Sequence, residues 1–188
     1  MKRSKRVFLA GLMAVAVLAT SQTSEAQRKK DKPDPSQGAT VSQTIGVDDK
    51  IEIAYHRPGV KGRDVFAKDS KLAPRSGKPW RAGANECTKI TFSSDVTVQG
   101  EKLAAGTYAL FMIPSDDEWT IIFNSGIGGW GSYGYKEDED VLKVTTKAVE
   151  ASKEEWLRYG FDDAGATSCT AYLHWDDVKV PFAIELAK

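Results

Sequence analysis

Apolar side chains recur at every second position along much of the chain, and this alternation constrains the fold more than any other feature. Ile51, Ile53 and Tyr55 alternate with polar neighbours, as expected of a strand with one buried face, and Val178–Leu186 repeats the pattern. About ten such segments occur, with turn signals roughly every 8–12 residues and no sustained helical period. The pattern predicts an all-β chain folded as a single antiparallel two-sheet β-sandwich, with a closed barrel as the alternative.

Three segments carry more specific predictions. Gly106–Ile113 and Trp119–Phe123 are apolar on both parities, which predicts a central hairpin buried on both faces. Lys147–Glu155 contains good helix formers and is expected to form a short helix or a loop. Pro181 lies within the last apolar strand, and a proline that cannot donate to a ladder predicts an edge strand.

The amino terminus has the pattern of a secretory signal peptide. Residues 1–26 contain a basic start, the apolar stretch Val7–Ala19 and a small-residue cleavage site near Ala26. The apolar stretch is shorter than the roughly 20 residues that span a bilayer, so no transmembrane anchor is expected. We therefore predict an exported protein, periplasmic or extracellular, with a disordered lead-in over residues 27–38 and a β-sandwich domain over residues 39–188.

The charge of the chain argues against one class of partner. Without residues 1–26 the sequence holds 22 basic and 25 acidic residues, a formal charge of −3. Proteins that bind nucleic acid usually carry a strong basic excess. No nucleic-acid partner is therefore expected.

Cys87 and Cys169 are the two cysteines of the chain. An oxidising exterior would permit a disulfide between them. The strand pattern places Cys169 on an apolar face, but Cys87 shares its parity with polar Lys89. A disulfide and two separate thiols, one of them buried, both remain open.

The segment Lys78–Glu86, with the sequence KPWRAGANE, is the strongest candidate for a site. It follows a long irregular loop, Arg57–Gly77, and loops of this length in compact domains are usually functional or disordered. Small residues in the segment permit a tight turn and a close approach to a ligand. The predicted ligand-binding residues are Arg57, Arg63, Trp80, Arg81, Asn85, Glu86 and Trp130.

Two interpretations of these charged residues remain open. Arginine forks suit carboxylate and phosphate groups, so the two segments predict a site for an anion or a sugar. Alternatively, Glu86 forms a buried ion pair with one of the arginines and ties the loop to the sandwich. Under the second interpretation, replacing either Arg81 or Glu86 by alanine destabilises the fold.

A glycine-rich and aromatic loop follows the central hairpin. Gly126–Gly131 satisfies the dinucleotide-binding spacing, but no helix-forming segment follows it, so neither a nucleotide nor any other cofactor is expected. Trp130 has two interpretations. It caps one end of the core, or together with Tyr133 and Tyr135 it stacks on a sugar.

Catalytic and metal-binding patterns are weak. His56 and Glu86 are the pair that would serve a hydrolase as acid–base groups. The chain lacks a G-x-S-x-G nucleophile motif, and neither His56 nor His174 has the spacing of a metal-ligand pair. We therefore expect no metal, and whether the protein is an enzyme remains open.

Several segments together resemble a secreted bacterial family known as domain of unknown function 2911. The resembling segments are VSQTIG (Val41–Gly46), residues Tyr55–Phe66 around RPGVKGR, WRAGANE (Trp80–Glu86), LAAGTYALF (Leu103–Phe111), EWTIIFN (Glu118–Asn124), Trp130-Gly131, His174-Trp175 and Val180–Phe182. The resemblance covers nearly all of the chain from about residue 39. It implies a β-sandwich behind a signal peptide and no established activity. This chain departs from the family's usual pattern at Ala67, where glycine is expected, and at Cys87, where a small residue is more usual. Because of the second departure, any disulfide would be particular to this chain.

These observations lead to one main hypothesis. We expect an exported β-sandwich that binds a small polar or carbohydrate-like ligand at a rim formed by Arg57–Arg63, Trp80–Glu86 and Trp130. One alternative is a hydrolase that uses Glu86 and His56. The other is a structural or interaction module of the cell envelope.

Overall fold

Ten β-strands form two antiparallel sheets in the part of the chain that the computed structural model describes, residues 34–73 and 75–188. The strands are β1 (Gly38–Ile45), β2 (Asp49–His56), β3 (Lys89–Phe92), β4 (Val96–Val98), β5 (Glu101–Leu103), β6 (Gly106–Ile113), β7 (Glu118–Asn124), β8 (Asp140–Lys147), β9 (Val149–Asp162) and β10 (Ser168–Leu186). One sheet has the order β1-β2-β3-β6-β7-β8 and the other β5-β4-β10-β9. The sheets do not close into a barrel, so the predicted β-sandwich is confirmed.

The predictions for the amino terminus fall largely outside the described residues. These are the signal peptide over residues 1–26 and the lead-in as far as residue 33. Residues Pro35–Lys188 form one compact unit, in which β1 begins at Gly38. Among the described residues, no helix has the length and hydropathy of a membrane span.

The central hairpin β6–β7 is buried on both faces, as predicted. One face packs between the sheets and contributes Tyr108, Leu110, Met112, Trp119, Ile121 and Phe123 to the main core. The other face holds a second apolar cluster of Cys87, Ala109, Phe111 and Ile122. Tyr135 packs on this second cluster, with its ring 5.1 Å from that of Phe111. The glycine-rich loop therefore covers the outer face of the larger sheet.

The prediction of a short helix or loop over Lys147–Glu155 is wrong, because β9 runs from Val149 to Asp162. Its first half is held in register by β10, where Glu150 pairs with Val178 and Glu154 with Asp176. The residues at exposed positions of this strand are polar, and polar residues such as Glu and Lys also favour helices. Pairing with β10 overrides that helix propensity.

The predicted edge position of the last strand is also wrong. β10 lies between β4 and β9 in its sheet. Pro181 is accommodated because it falls between Lys179, the last residue paired with β9, and Ile184, the first paired with β4. The proline thus occupies the interval where the strand passes from one partner to the other.

Both cysteines are buried free thiols. Cys169 belongs to the main core between the sheets, whereas Cys87 belongs to the cluster on the outer face of the larger sheet. A disulfide would have to cross the sheet, so the two-thiol alternative is the one the structure supports.

A cluster of aromatic rings holds the long loop against the sandwich. Phe66, in the loop, lies 5.3 Å from the ring of Trp119, 5.7 Å from Trp175 and 6.4 Å from Trp80, each in an edge-to-face arrangement. Trp80 and Trp175 stack on each other at 6.0 Å. Such pairs add roughly 0.5–1.5 kcal/mol each beyond the area they bury. The loop is therefore anchored at its centre by a core residue.

Candidate functional site

The segment Trp80–Glu86 begins with an isolated antiparallel bridge from Trp80 to Met112 of β6. The backbone N–H of Trp80 donates to the carbonyl of Met112 at 2.8 Å, and the N–H of Met112 donates back at 2.9 Å. The Trp80 side chain is 5% exposed and lies in the aromatic cluster. Trp80 is therefore a core residue that fixes the segment.

A tight turn follows, and its conformation depends on small residues. Ala82 and Asn85 have positive φ angles of 49° and 55°. A Cβ atom on Gly83 would lie 2.7 Å from Oγ1 of Thr88, so only glycine fits there. The carbonyl of Ala82 accepts hydrogen bonds from the hydroxyls of Thr88, at 3.0 Å, and Tyr159, at 2.8 Å. The turn is therefore rigidly attached to both sheets.

The two arginines of the preceding loop that were predicted to bind a ligand, Arg57 and Arg63, have different roles. Arg57 is partly buried, and its Nε donates to the carbonyl of Leu157 on β9 at 3.0 Å. Arg63 is exposed and folds back, donating to the carbonyls of Gly59 at 2.6 Å and Val60 at 3.0 Å. Arg57 thus ties the loop to the smaller sheet, while the Arg63 guanidinium stays at the surface.

A cleft of about 250 Å³ separates this loop from the Trp80–Glu86 segment. We call it the basic cleft. Its lining residues are Pro35, Ser36, Pro58, Gly59, Lys61, Arg63, Leu72, Arg81, Gly83, Ala84, Asn85 and Trp175. Three of them are cationic and none is acidic. The structure thus places the arginine loop beside the WRAGANE segment. Of the predicted site residues, Arg63, Arg81 and Asn85 line this cleft, and Arg57, Trp80, Glu86 and Trp130 do not.

Arg81 is the most unusual charge in the cleft. Its Nε donates to the carbonyl of Gly83 at 3.3 Å, and the guanidinium carbon lies 5.6 Å from the centre of the Trp130 ring. Burial lowers the pKa of the guanidinium. In residues 34–73 and 75–188, none of the ion pairs involves Arg81, Lys61 or Arg63. Arg81 is thus a partly desolvated cation without a carboxylate partner.

The interpretation in which Glu86 forms a buried ion pair with an arginine is wrong. The Glu86 side chain is 62% exposed, and its carboxylate lies 3.4 Å from Nδ1 of His56. The segment turns between Arg81 and Glu86, so the two side chains lie on different surfaces of the protein. At the turn, the side-chain amide of Asn85 donates to the carbonyl of Ser36 at 3.3 Å, and the backbone carbonyl of Asn85 accepts a hydrogen bond from the N–H of Gly131 at 2.8 Å.

His56 and Glu86 meet at a groove on the outer face of the larger sheet. Antiparallel pairing of Ala54 with Lys89 brings the end of β2 beside the residues that precede β3. The groove has a volume of about 430 Å³. It is lined by Gly38, Ala39, Thr40, Ala54, Tyr55, His56, Glu86, Cys87 and Lys89. We call it the histidine groove.

Cys87 lines the histidine groove but lacks the features of a nucleophile. Its side chain is 5% exposed, and its Sγ donates to the carbonyl of Ile127 at 3.5 Å. Burial raises the pKa of the thiol, which disfavours the thiolate. Groups of histidine, cysteine and carboxylate that could hold a metal ion are absent from the described part of the chain.

Trp130 is exposed rather than buried, so its interpretation as a cap on the core is wrong. Its side chain is 58% exposed, and that of Tyr133 is 88% exposed. The two rings are nearly parallel, with an interplanar angle of 8° and centroids 6.3 Å apart. We call this pair the aromatic platform. It lies beside Arg81, whose guanidinium faces the Trp130 ring.

Tyr135, the third aromatic residue of the predicted stacking group, is structural. Its hydroxyl donates to Oδ2 of Asp140 at 2.7 Å. Desolvation, with a smaller contribution from this hydrogen bond, raises the pKa of Tyr135 to about 12. Tyr135 therefore holds the loop in place while Trp130 and Tyr133 face solvent.

Sequence reasoning missed the extent of the positive charge. Residues 57–81 contain eight basic and two acidic residues, although the chain after residue 26 has a net negative charge. A charge count over this window, instead of over the whole chain, would have identified Lys61 as a companion of Arg63 and Arg81. The three cations converge because the loop turns back over the Trp80–Glu86 segment.

Comparisons with known proteins identify a family but give no activity or ligand. A family model described as protein of unknown function (DUF2911) matches residues 36–184. The match includes both walls of the basic cleft and the aromatic platform. No curated protein and no solved structure matches the chain significantly.

Proposed function

Because the chain belongs to the family of proteins of unknown function described as DUF2911, whose description names no activity, its function must be argued from its own residues, and we propose that it binds a small anionic ligand in the basic cleft. The observation that carries this proposal is Arg81, a partly desolvated guanidinium that has no carboxylate partner among the described residues. The signal-peptide pattern of residues 1–26 supports an exported location for this binding protein.

The energetic argument begins with the cost of an unpaired cation. Removing a charge from water costs several kcal/mol unless a counter-charge or hydrogen bonds replace the solvent. Arg81 makes one backbone hydrogen bond and one ring contact, which leaves most of its five N–H donors for another partner. A carboxylate or phosphate accepts two of these donors at once.

Neighbouring groups favour the same class of ligand. Lys61 and Arg63 add positive charge at the opposite wall of the cleft, and Asn85 adds a polar wall residue at its base. Gly83 lines the same cleft, and its close packing against Thr88 and the carbonyl of His56 fixes this part of the lining. A ligand bound here would be held by charge from two sides, so a small polar molecule bearing a carboxylate or phosphate fits best.

The first test compares anionic and neutral probes. We expect citrate and galacturonate to bind the purified protein and raise its melting temperature, whereas galactose should not, because only the anions supply a counter-charge to Arg81. Isothermal titration calorimetry should show that citrate affinity falls as salt concentration rises. If neither anion binds, the proposal is wrong. A protein that instead forms partner-dependent oligomers on a sizing column would favour an interaction module.

A second candidate function is favoured by the histidine groove. The Glu86 carboxylate lies 3.4 Å from Nδ1 of His56, and the imidazole is 27% exposed. A carboxylate at this position favours the tautomer with a proton on Nδ1, so that Nε2 is free to accept a proton from water. The candidate is a hydrolase in which His56 activates water and Glu86 orients the imidazole.

Replacing Glu86 by glutamine separates the two functions. The hydrolase candidate predicts turnover of nitrophenyl esters or glycosides by the wild-type protein and a loss of about 10- to 1,000-fold in kcat/KM in Glu86→Gln. Citrate binding should be unaffected, since Glu86 does not line the basic cleft. If the wild-type protein turns over none of these substrates, or if Glu86→Gln retains full activity, the hydrolase candidate is wrong.

A further inference from the structure

A second concave surface lies on the other side of Arg81. Its volume is about 330 Å³. It is lined by Ser70, Lys71, Leu72, Ser76, Lys78, Pro79, Trp80, Arg81, Ser132 and Tyr133. We call it the lysine pocket. Like the basic cleft, it has three cationic lining residues and no acidic one, and the two cavities share Leu72 and Arg81 as a common wall.

The lysines of this pocket have no acidic partners in the structure. Lys71 and Lys78 are exposed, and no ion pair among the described residues includes either of them. Some other surface lysines are paired, as Lys50 is with Glu52 at 2.6 Å and Lys136 with Glu139 at 2.7 Å, whereas Lys68 and Lys102 are in none of the ion pairs among the described residues. The lysine pocket thus repeats the unbalanced charge of the basic cleft at a second position.

The aromatic platform lies against this second position. Tyr133 belongs to the lining of the lysine pocket, and Trp130 contacts Arg81 at the wall between the two cavities. The platform is exposed although each ring could bury a large apolar area. Two parallel exposed rings beside a polar pocket offer an apolar surface for the face of a ligand ring, while the neighbouring lysines bind its charged substituents.

We propose that the basic cleft and the lysine pocket are two subsites for one acidic oligosaccharide, whose successive charged rings pair with cations on either side of Arg81 and stack on the aromatic platform. This inference rests on the proposed function, since the basic cleft is the first of the two subsites. Cations that recur on both sides of one wall fit a ligand that carries repeated negative charges. Exposed aromatic faces between them fit a ligand built of rings.

An oligonucleotide also has repeated charges and ring faces, but the small number of exposed rings favours the saccharide. Only two exposed rings flank the lysine pocket, whereas single-stranded nucleic-acid sites combine aromatic residues with a charged groove that follows the strand over several nucleotides. Oligonucleotide binding is accordingly an outcome of the test.

The test measures how affinity depends on ligand length. Calorimetry should compare galacturonate, its linear tetramer, the neutral tetramer maltotetraose and a thymidine tetranucleotide, all with the wild-type protein at low salt. Because a second contact within one ligand acts at high effective concentration, the galacturonate tetramer should bind at least about tenfold more tightly than the monomer. Maltotetraose should bind more weakly than either.

A paired variant tests the second subsite. Lys71→Gln combined with Lys78→Gln should reduce the affinity for the tetramer to about that for the monomer, because the charges of the lysine pocket are removed. The matched control combines Lys68→Gln with Lys102→Gln, which removes two exposed lysines that line neither cavity. All four lysines are exposed, so both variants should fold, and circular dichroism verifies this.

The outcomes separate this inference from the proposed function. The two-subsite inference is wrong, and the single anion site stands, if the wild-type protein binds citrate and galacturonate but binds the galacturonate tetramer no more tightly than the monomer. It is also wrong if the two double-lysine variants reduce the affinity for the tetramer equally. If neither galacturonate nor its tetramer binds, both are wrong. Tighter binding of the tetranucleotide than of the galacturonate tetramer would overturn the choice of an acidic saccharide.

Discussion

Replacing Arg81 by glutamine is expected to weaken citrate binding about 30- to 150-fold, because a hydrogen-bonded charge pair in a partly desolvated site contributes about 2–3 kcal/mol. Glutamine has a similar reach but has no positive charge and offers two N–H donors in place of five. The free energy of unfolding should change by less than about 1 kcal/mol, since the loss of the contact with Trp130 is offset by removal of a desolvated cation. Calorimetry and urea denaturation measure the two quantities.

Arg158→Gln is the matched control for this experiment. Arg158 also faces an aromatic ring, at 5.4 Å from the centre of Tyr172, but its Nε is paired with Glu154 at 3.0 Å and it does not line the basic cleft. Its replacement should leave citrate affinity unchanged. Unchanged affinity in Arg81→Gln would exclude Arg81 from the site, and an equal loss in both variants would indicate a diffuse effect of net charge.

The local sequence pattern predicted strands correctly where each face of the strand is consistently buried. The residues of β6 and β7 are apolar on both parities because one face meets the other sheet and the opposite face, which includes Phe111 and Ile122, is covered by Tyr135. In β9, by contrast, the residues from Val149 are mostly exposed and resemble helix formers. Their strand conformation is set by pairing with distant β10, which no local pattern reports.

The candidate site was predictable as a region but not as a set of contacts. Loop length and the small residues of the Trp80–Glu86 segment indicated where to look, and both Arg63 and Arg81 do line the basic cleft. Which carboxylate lies beside which cation depends on the register between β2 and β3. That register places the Glu86 carboxylate beside His56 and not beside an arginine. The exposure of Trp130 likewise depends on Tyr135, rather than Trp130, packing against the larger sheet.

The basic cleft is connected physically to the core through its own walls. Trp175 forms part of the cleft lining and is also stacked on Trp80 in the aromatic cluster. Phe66 packs on both of them from the loop that carries Lys61 and Arg63. The position of these cations therefore depends on a buried residue of the same loop that contacts no ligand.

Phe66→Ala is expected to lower the free energy of unfolding by about 3–5 kcal/mol, the largest loss of stability that we predict. Phe66 is 4% exposed and packs on three tryptophans, so alanine leaves a cavity whose rigid walls cannot collapse to fill it. Urea denaturation followed by tryptophan fluorescence measures the loss. A cost below about 1 kcal/mol would mean that the loop is not anchored by this ring.

The milder variant Phe66→Leu connects this loss to function in a protein that stays folded. It should cost about 1–2 kcal/mol and also weaken citrate binding several-fold, because a loosened loop no longer holds Lys61 and Arg63 at the cleft. Phe111→Leu is the control, since Phe111 is equally buried but lies on the outer face of the larger sheet. It should cost similar stability without changing citrate affinity. Equal effects of the two variants on binding would show that the loop anchor does not position the site.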